Sequence, residues 1–252
     1  MDIKINGGDK MKVNVLKDYS ELSREAGEFI SNFVQDHPKA LICLASGSSP
    51  AGVYEYLAEE INSKRVDFSK VTFIGLDEFV GMGKDDDGSS ANMLYRDFFT
   101  LAHINESHIQ FFNTKAENLE AECKRMDNII LQHGGIDMIL LGIGMNGHLG
   151  FNEPGVPFDL YSHVVELDDT TKTVGQKYFK QQTEFSKGIT LGIKHILEAK
   201  TAIILADGLK KADVVQKMLT GSVTADYPCT IMNEHPNAFV FIDEDAYSKV
   251  EN

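Results

Sequence analysis

Short apolar runs alternate along the chain with longer stretches whose apolar positions recur at helical spacing. The short runs cover residues 12–16, 40–45, 71–76, 136–143, 201–206 and 238–242. They are rich in branched side chains and continuous rather than alternating, as expected of strands buried on both faces of a parallel sheet. Between them the spacing predicts helices over 19–35, 50–62, 90–99, 117–132, 189–198 and 209–220. Asp36-His37-Pro38 closes the first of these, since the residue before a proline leaves the helical region. Strand and helix signals in regular alternation predict an α/β fold: a mostly parallel sheet flanked by helices, three-layered and Rossmann-like. No repeat or linker divides the chain, so 1–252 reads as one domain. Its least regular stretch, 154–187, reads as a mobile flap over the site.

Composition narrows the function. The 252 residues are 42% hydrophobic and 25% charged, enough for an ample single core. A net charge of −14 argues against nucleic acid or an anionic membrane surface as partner. No apolar window is long enough for a membrane span, and residues 1–14 lack the apolar core of a secretion signal, so a cytoplasmic location is expected. Cys43, Cys123 and Cys229 are far apart and lack paired spacing, which fits reduced thiols rather than disulfides or zinc. Cys43, inside an apolar run, reads as a small core residue.

Candidate chemistry lies where the apolar runs end, at the carboxyl edge where open α/β sheets bind small molecules. The run 136–143 feeds into Gly144, Asn146, Gly147 and His148, followed by Glu153 before Pro154. His148 can move protons near neutral pH, Glu153 can fix its tautomer, and the Asn146 amide can join the network. A structural turn around a hydrogen-bonded histidine is the competing account. Ser46-Gly47-Ser48-Ser49-Pro50 opens a helix and offers hydroxyls and free N–H groups to an anion. A plain capped turn uses the same residues, and the Walker pattern is absent. Asp77-Glu78, at the end of 71–76, suits proton abstraction or, alternatively, helix capping by Asp77. No further His or Asp spacing completes a metal set, so no metal is expected. Asp207-Gly208-Leu209-Lys210-Lys211-Ala212 places lysines in a helix's first turn, where they oppose the helix dipole unless an anion is bound. Lys210 reads as surface solvation.

Together these segments resemble the glucosamine-6-phosphate deaminase family, which includes the galactosamine-6-phosphate deaminase/isomerases. The motifs that carry the likeness are Ser46 to Pro50, Leu76-Asp77-Glu78-Phe79-Val80-Gly81, the His148 to Glu153 loop, Ile189-Thr190-Leu191-Gly192 and Gly208 to Ala212. The resemblance implies conversion of a 2-amino-2-deoxyhexose 6-phosphate to the ketohexose 6-phosphate with release of ammonia, and no cofactor. It implies Asp77 as the base working between C2 and C1, His148 as the ring-opening acid/base, and Glu153 as its supporting carboxylate. Ser46, Gly47, Ser48, Ser49 and Lys211 match the phosphate cradle. Lys177 falls where the family often has an arginine, and offers a point charge instead of a bidentate fork. Asn146 stands where these deaminases often carry aspartate, so Glu153 is expected to carry more of the support for His148.

Asn146 to Gly150 and Gly188 to Gly192 lean slightly to the galactosamine branch, whereas Val80-Gly81 looks like the glucosamine branch. Two rivals share the outline. Family-like 6-phosphogluconolactonases are hydrolases that need no enediol base, against which Asp77-Glu78 argues. A non-catalytic sugar-phosphate sensor usually appends a basic helix-turn-helix, whereas the segment before the phosphate loop has one helix signal in an acidic chain. The partner expected is thus a small amino-sugar phosphate, and the resemblance allows for a homo-oligomer.

Overall fold

A computed structural model describes residues 11–250; residues 1–10, and with them most of the 1–14 stretch, lie outside the described residues. In chain order the first half holds β1 (Met11–Leu16), α1 (Tyr19–Asp36), β2 (Leu41–Leu44), α2 (Ser48–Asn62), β3 (Thr72–Gly75), β4 (Asp77–Phe79), α3 (Ser90–Leu94), β5 (Ile109–Gln110) and α4 (Leu119–Gln132). The second half holds β6 (Met138–Gly142), β7 (His163–Glu166), α5 (Asp169–Gly175), β8 (Lys187–Thr190), α6 (Ile193–Glu198), β9 (Ala202–Ala206), α7 (Ala212–Thr220) and β10 (Ala238–Asp243).

Seven strands form one parallel sheet in the order β1-β10-β9-β6-β2-β3-β5. Its strands are apolar throughout because both faces are covered. On β2, Leu41 and Cys43 join one core while Ile42 and Leu44 join the other. On β6 the pair Ile139 and Leu141 faces the first core, and Met138 and Leu140 the second. The result is a three-layer α/β fold, as the sequence pattern predicts. From β2 the chain builds outward through β3 to β5, then returns to lay β6 on the other side of β2. The strand order therefore reverses between β2 and β6, and a cleft opens beyond their carboxyl ends.

The structure corrects several sequence expectations. A second sheet, antiparallel in the order β4-β8-β7, stands beside this cleft. The helix predicted over 189–198 is strand up to Thr190 and helix only from Ile193. Ile189, Ile193 and Ile196 sit at helical spacing, which is what the sequence pattern registers. Gly192 interrupts it: a Cβ there would lie 2.1 Å from the Leu160 carbonyl oxygen. The helix predicted over 90–99 is α3 continued by a π-helical turn, Tyr95–Phe99. That over 209–220 begins with a 3-10 turn, Leu209–Lys211, before α7. The irregular segment 154–187 contains β7, α5 and a 3-10 turn, Gln176–Tyr178, with Leu167 packed into a small cluster with Phe79 and Phe151. No described helix is long and apolar enough to cross a membrane, and all three cysteines are buried thiols.

Candidate active site

A cavity of about 580 Å³ lies over the switch point and is lined by the loop after β2, the start of β4, α3, the loop after β6, the α5 segment, and Asp207, Lys210 and Lys211 after β9. Gly47 (φ 117°) is the N-cap of α2, and no side chain caps that helix. Its first-turn N–H groups therefore stand at the cavity end formed by Ser46, Gly47 and Ser48, the arrangement that favours an anion. The hydroxyls differ in their commitments. Ser49 donates to Asp207 Oδ1 at 2.5 Å, and Ser46 donates to Ser90 Oγ at 3.1 Å. Lys211 is mostly buried and donates its ammonium to the Ile143 carbonyl. Burial pulls this amine down to about 8, with nearby Lys177 pushing the same way and Asp207 opposing. Lys177 lines the same cavity, its Nζ 4.7 Å above the Tyr178 ring.

The adjacent carboxylates have separated tasks. Glu78 points away from the cavity and binds the start of α3, accepting from the N–H groups of Phe79 (2.8 Å), Ser90 (2.9 Å) and Ala91 (2.8 Å). The first-turn N–H groups of α3 are thus taken up by Glu78 and by the N-cap Ser89, not by Asp77. The Asp77 side chain lines the cavity and takes one hydrogen bond, from Ser90 Oγ at 2.9 Å. Burial raises its carboxyl to about 7, against which the Ser90 bond works, while Glu78 and Glu153 add to the rise.

Backbone bonds fold the glycine loop tightly, with Gly144 N–H donating to the His148 carbonyl (2.9 Å) and Gly147 N–H to that of Gly144 (3.0 Å). The imidazole lies directly over Gly144, where a Cβ would sit 2.3 Å from Nε2. That contact requires glycine. His148 Nδ1 is 3.4 Å from Glu153 Oε2 and 3.1 Å from Thr171 Oγ1. Burial raises Glu153, but His148, Thr171 and Asn146 together bring it below the ordinary glutamate range. The Asn146 amide donates to Glu153 Oε2 at 3.0 Å and accepts the His148 backbone N–H at 3.3 Å. Asn146 thus orients the carboxylate, not the ring.

All the sequence candidates come to this one region: Ser46, Gly47, Ser48, Ser49, Asp77, His148, Lys177 and Lys211 line the cavity, with Glu153 and Asn146 behind the imidazole. The sequence reading missed Ser90, Thr171 and the contact of Asp207 with the serine loop. Ser90 and Thr171 are ordinary hydroxyls in segments without a motif. Among the described residues no group of three or more His, Cys, Asp or Glu could hold a metal ion.

The family model described as glucosamine-6-phosphate isomerases/6-phosphogluconolactonase matches residues 18–241. A glucosamine-6-phosphate deaminase of Bacillus velezensis is 39% identical, covering 94% of this chain and 98% of its own. One from Thermoanaerobacter pseudethanolicus is 35% identical, covering 95% of both chains. A solved monomeric glucosamine-6-phosphate deaminase superposes with a TM-score of 0.91 at 34% identity, covering 94% of this chain and 99% of that one. The 6-phosphogluconolactonase of Leishmania guyanensis, 20% identical with a TM-score of 0.77 and coverage of 95% and 98%, shares the fold.

Proposed function

The chain belongs to the glucosamine-6-phosphate isomerase/6-phosphogluconolactonase family of enzymes, and from that premise we propose that it is an amino-sugar-6-phosphate deaminase. The observation that carries this reading is one cavity with three chemistries. It combines a buried carboxylate titrating near 7, an imidazole backed by a carboxylate, and an uncapped helix N-terminus flanked by two lysines.

In this reading the phosphate sits at the start of α2, on backbone N–H groups and the Ser46 and Ser48 hydroxyls, with Lys211 and Lys177 balancing its charge. Ser49, already bound to Asp207, contributes its backbone. Holding the phosphate positions C1 and C2 at the far end, where binding energy becomes rate. His148 takes the proton of the C1 hydroxyl and gives one to the ring oxygen as the C1–O5 bond breaks. Glu153 stabilises the imidazolium at Nδ1. Asp77 then removes the proton on C2; the electron pair forms the C1–C2 double bond and the aldehyde oxygen is protonated. Return of that proton to C1 leaves a C2 imine, to which water adds as ammonia departs. A carboxyl near 7 serves both directions of this transfer, since neither protonation state is strongly disfavoured at neutral pH.

Between the C4 epimers, the relatives' names favour glucosamine 6-phosphate. The segments that lean to galactosamine 6-phosphate, Asn146 to Gly150 and Gly188 to Gly192, find no support in the names of the relatives above. A phosphorylated sugar as substrate also supports a cytoplasmic setting. Ammonia release, measured separately on the two amino-sugar phosphates with Asp77→Asn alongside, tests the proposal. Release from glucosamine 6-phosphate that vanishes in the variant is the expected result. No release from either, with 6-phosphogluconolactone hydrolysed instead, would overturn it.

A further inference from the structure

Ser90 is buried at the start of α3, and its hydroxyl touches two parts of the site that share no backbone. It donates to Asp77 Oδ1 at 2.9 Å and accepts from Ser46 Oγ at 3.1 Å. The chain Ser46 Oγ–H, Ser90 Oγ–H, Asp77 carboxylate therefore runs with one polarity from the anion loop to the buried carboxylate. A hydroxyl that itself accepts a hydrogen bond is a stronger donor, so the two bonds reinforce one another at Asp77. The Ser90 backbone N–H is fixed on Glu78 Oε1, which orients the residue independently of its side chain.

We propose that Ser90 is a positioning residue, and that the Ser46–Ser90 hydroxyl pair sets the ionisation and orientation of Asp77 and makes both respond to what occupies the anion loop. This deepens the deaminase reading and rests on it for what the proton does, though not for the hydrogen bonds. The consequence is directional. Each hydroxyl hydrogen pointed toward Asp77 favours its carboxylate. An anion that draws the Ser46 hydrogen to itself weakens the chain and raises the Asp77 carboxyl, so the occupied site holds a stronger base for taking the proton from C2. The other titratable groups close enough for their charge to act on Asp77, or its charge on them, are Glu78 next in sequence, Glu153 on the loop after β6, Cys43 on β2 and Tyr54 on α2. His148 lines the same cavity. Apart from His148, these groups carry negative charge when ionised, so the Ser90 hydroxyl, backed by Ser46, is the main favourable contact of the carboxylate.

The test is a titration of Asp77 itself, by infrared difference spectra of the carboxyl with Asp77→Asn as the blank, paired with the pH profile of ammonia release. Ser90→Ala should move the titration midpoint up by about one pH unit, the scale of one hydrogen bond to a charged group. Ser90→Thr, which keeps the hydroxyl, should restore it. Ser46→Ala should move the midpoint upward by less, and add nothing in the Ser90→Ala background. Inorganic phosphate should raise the wild-type midpoint more than that of Ser90→Ala. An unmoved midpoint in Ser90→Ala overturns the proposal, as does a Ser46→Ala shift of equal size in both backgrounds. The infrared arm reads out even if the wild type releases no ammonia, so the two readings fail separately.

Discussion

Replacing Asp77 with asparagine should stabilise the protein, and the gain should grow with pH. The side chain is only 8% exposed, and burial lifts its carboxyl from an ordinary 3.8 to about 7. A carboxyl raised in the folded state prefers its proton there, so the unfolded chain ionises first as pH climbs. The resulting cost to folding is absent below about pH 3.8, accumulates through the window up to about 7, and is constant above it. At ~1.4 kcal/mol per pH unit, that window corresponds to ~4 kcal/mol above pH 7 and ~1.6 kcal/mol near pH 5. Both are upper bounds, because asparagine has its own desolvation cost. It matches the volume and can still accept the Ser90 hydroxyl, so packing should not offset the gain. Urea unfolding of the two proteins between about pH 5 and pH 8 measures it directly. A gain that stays level across that range, or shrinks as pH rises, would refute the burial argument. The variant should also be inactive, so stability and ammonia release must move in opposite directions at one residue.

Three further outcomes follow from the geometry. Gly144→Ala places a Cβ where it would meet His148 Nε2 at 2.3 Å, so the ring must shift. Activity should fall on the order of 100-fold with little change in the thermal midpoint, and wild-type rates would show that the ring does not matter. Glu153→Gln should lose far more ring-opening activity than Asn146→Ala, because Glu153 faces Nδ1 while the Asn146 amide reaches the ring only through it. Equal losses in steady-state assays would count against that division. Lys211, pulled down to about 8, loses its charge as pH rises past that value, so KM for the phosphorylated substrate should climb there. Lys211→Arg should flatten the climb, and an equally steep rise in that variant would assign the ionisation elsewhere.

Six of the seven strands of the parallel sheet were legible in the sequence because burial on both faces writes a continuous apolar run, which neighbouring residues alone can display; the edge strand β5, two residues long, writes none. The antiparallel sheet was not, since β4 is three residues long and finds its partner β8 more than a hundred residues away. At β8, isoleucines at helical spacing spoke for the wrong element until Gly192, pressed against Leu160, broke the pattern. The candidate site divides the same way. His148, Glu153, Asp77 and the serine loop sit just beyond strand ends, where glycine and proline mark the turn, so sequence order already groups them by place. Ser90 and Thr171 carry no such mark; each meets the site through one hydroxyl brought there by folding. The carboxylate pair shows what this costs a reading by residue type alone. Asp77 and Glu78 are chemically near twins, and capping was weighed for the wrong one. Alternation along β4 decides between them, because successive side chains point to opposite faces. One carboxylate meets the N–H group of Phe79 and the first two of α3, and becomes structural. The other faces the cavity with one hydroxyl for company, and burial against that single contact leaves its proton near the threshold of leaving at neutral pH.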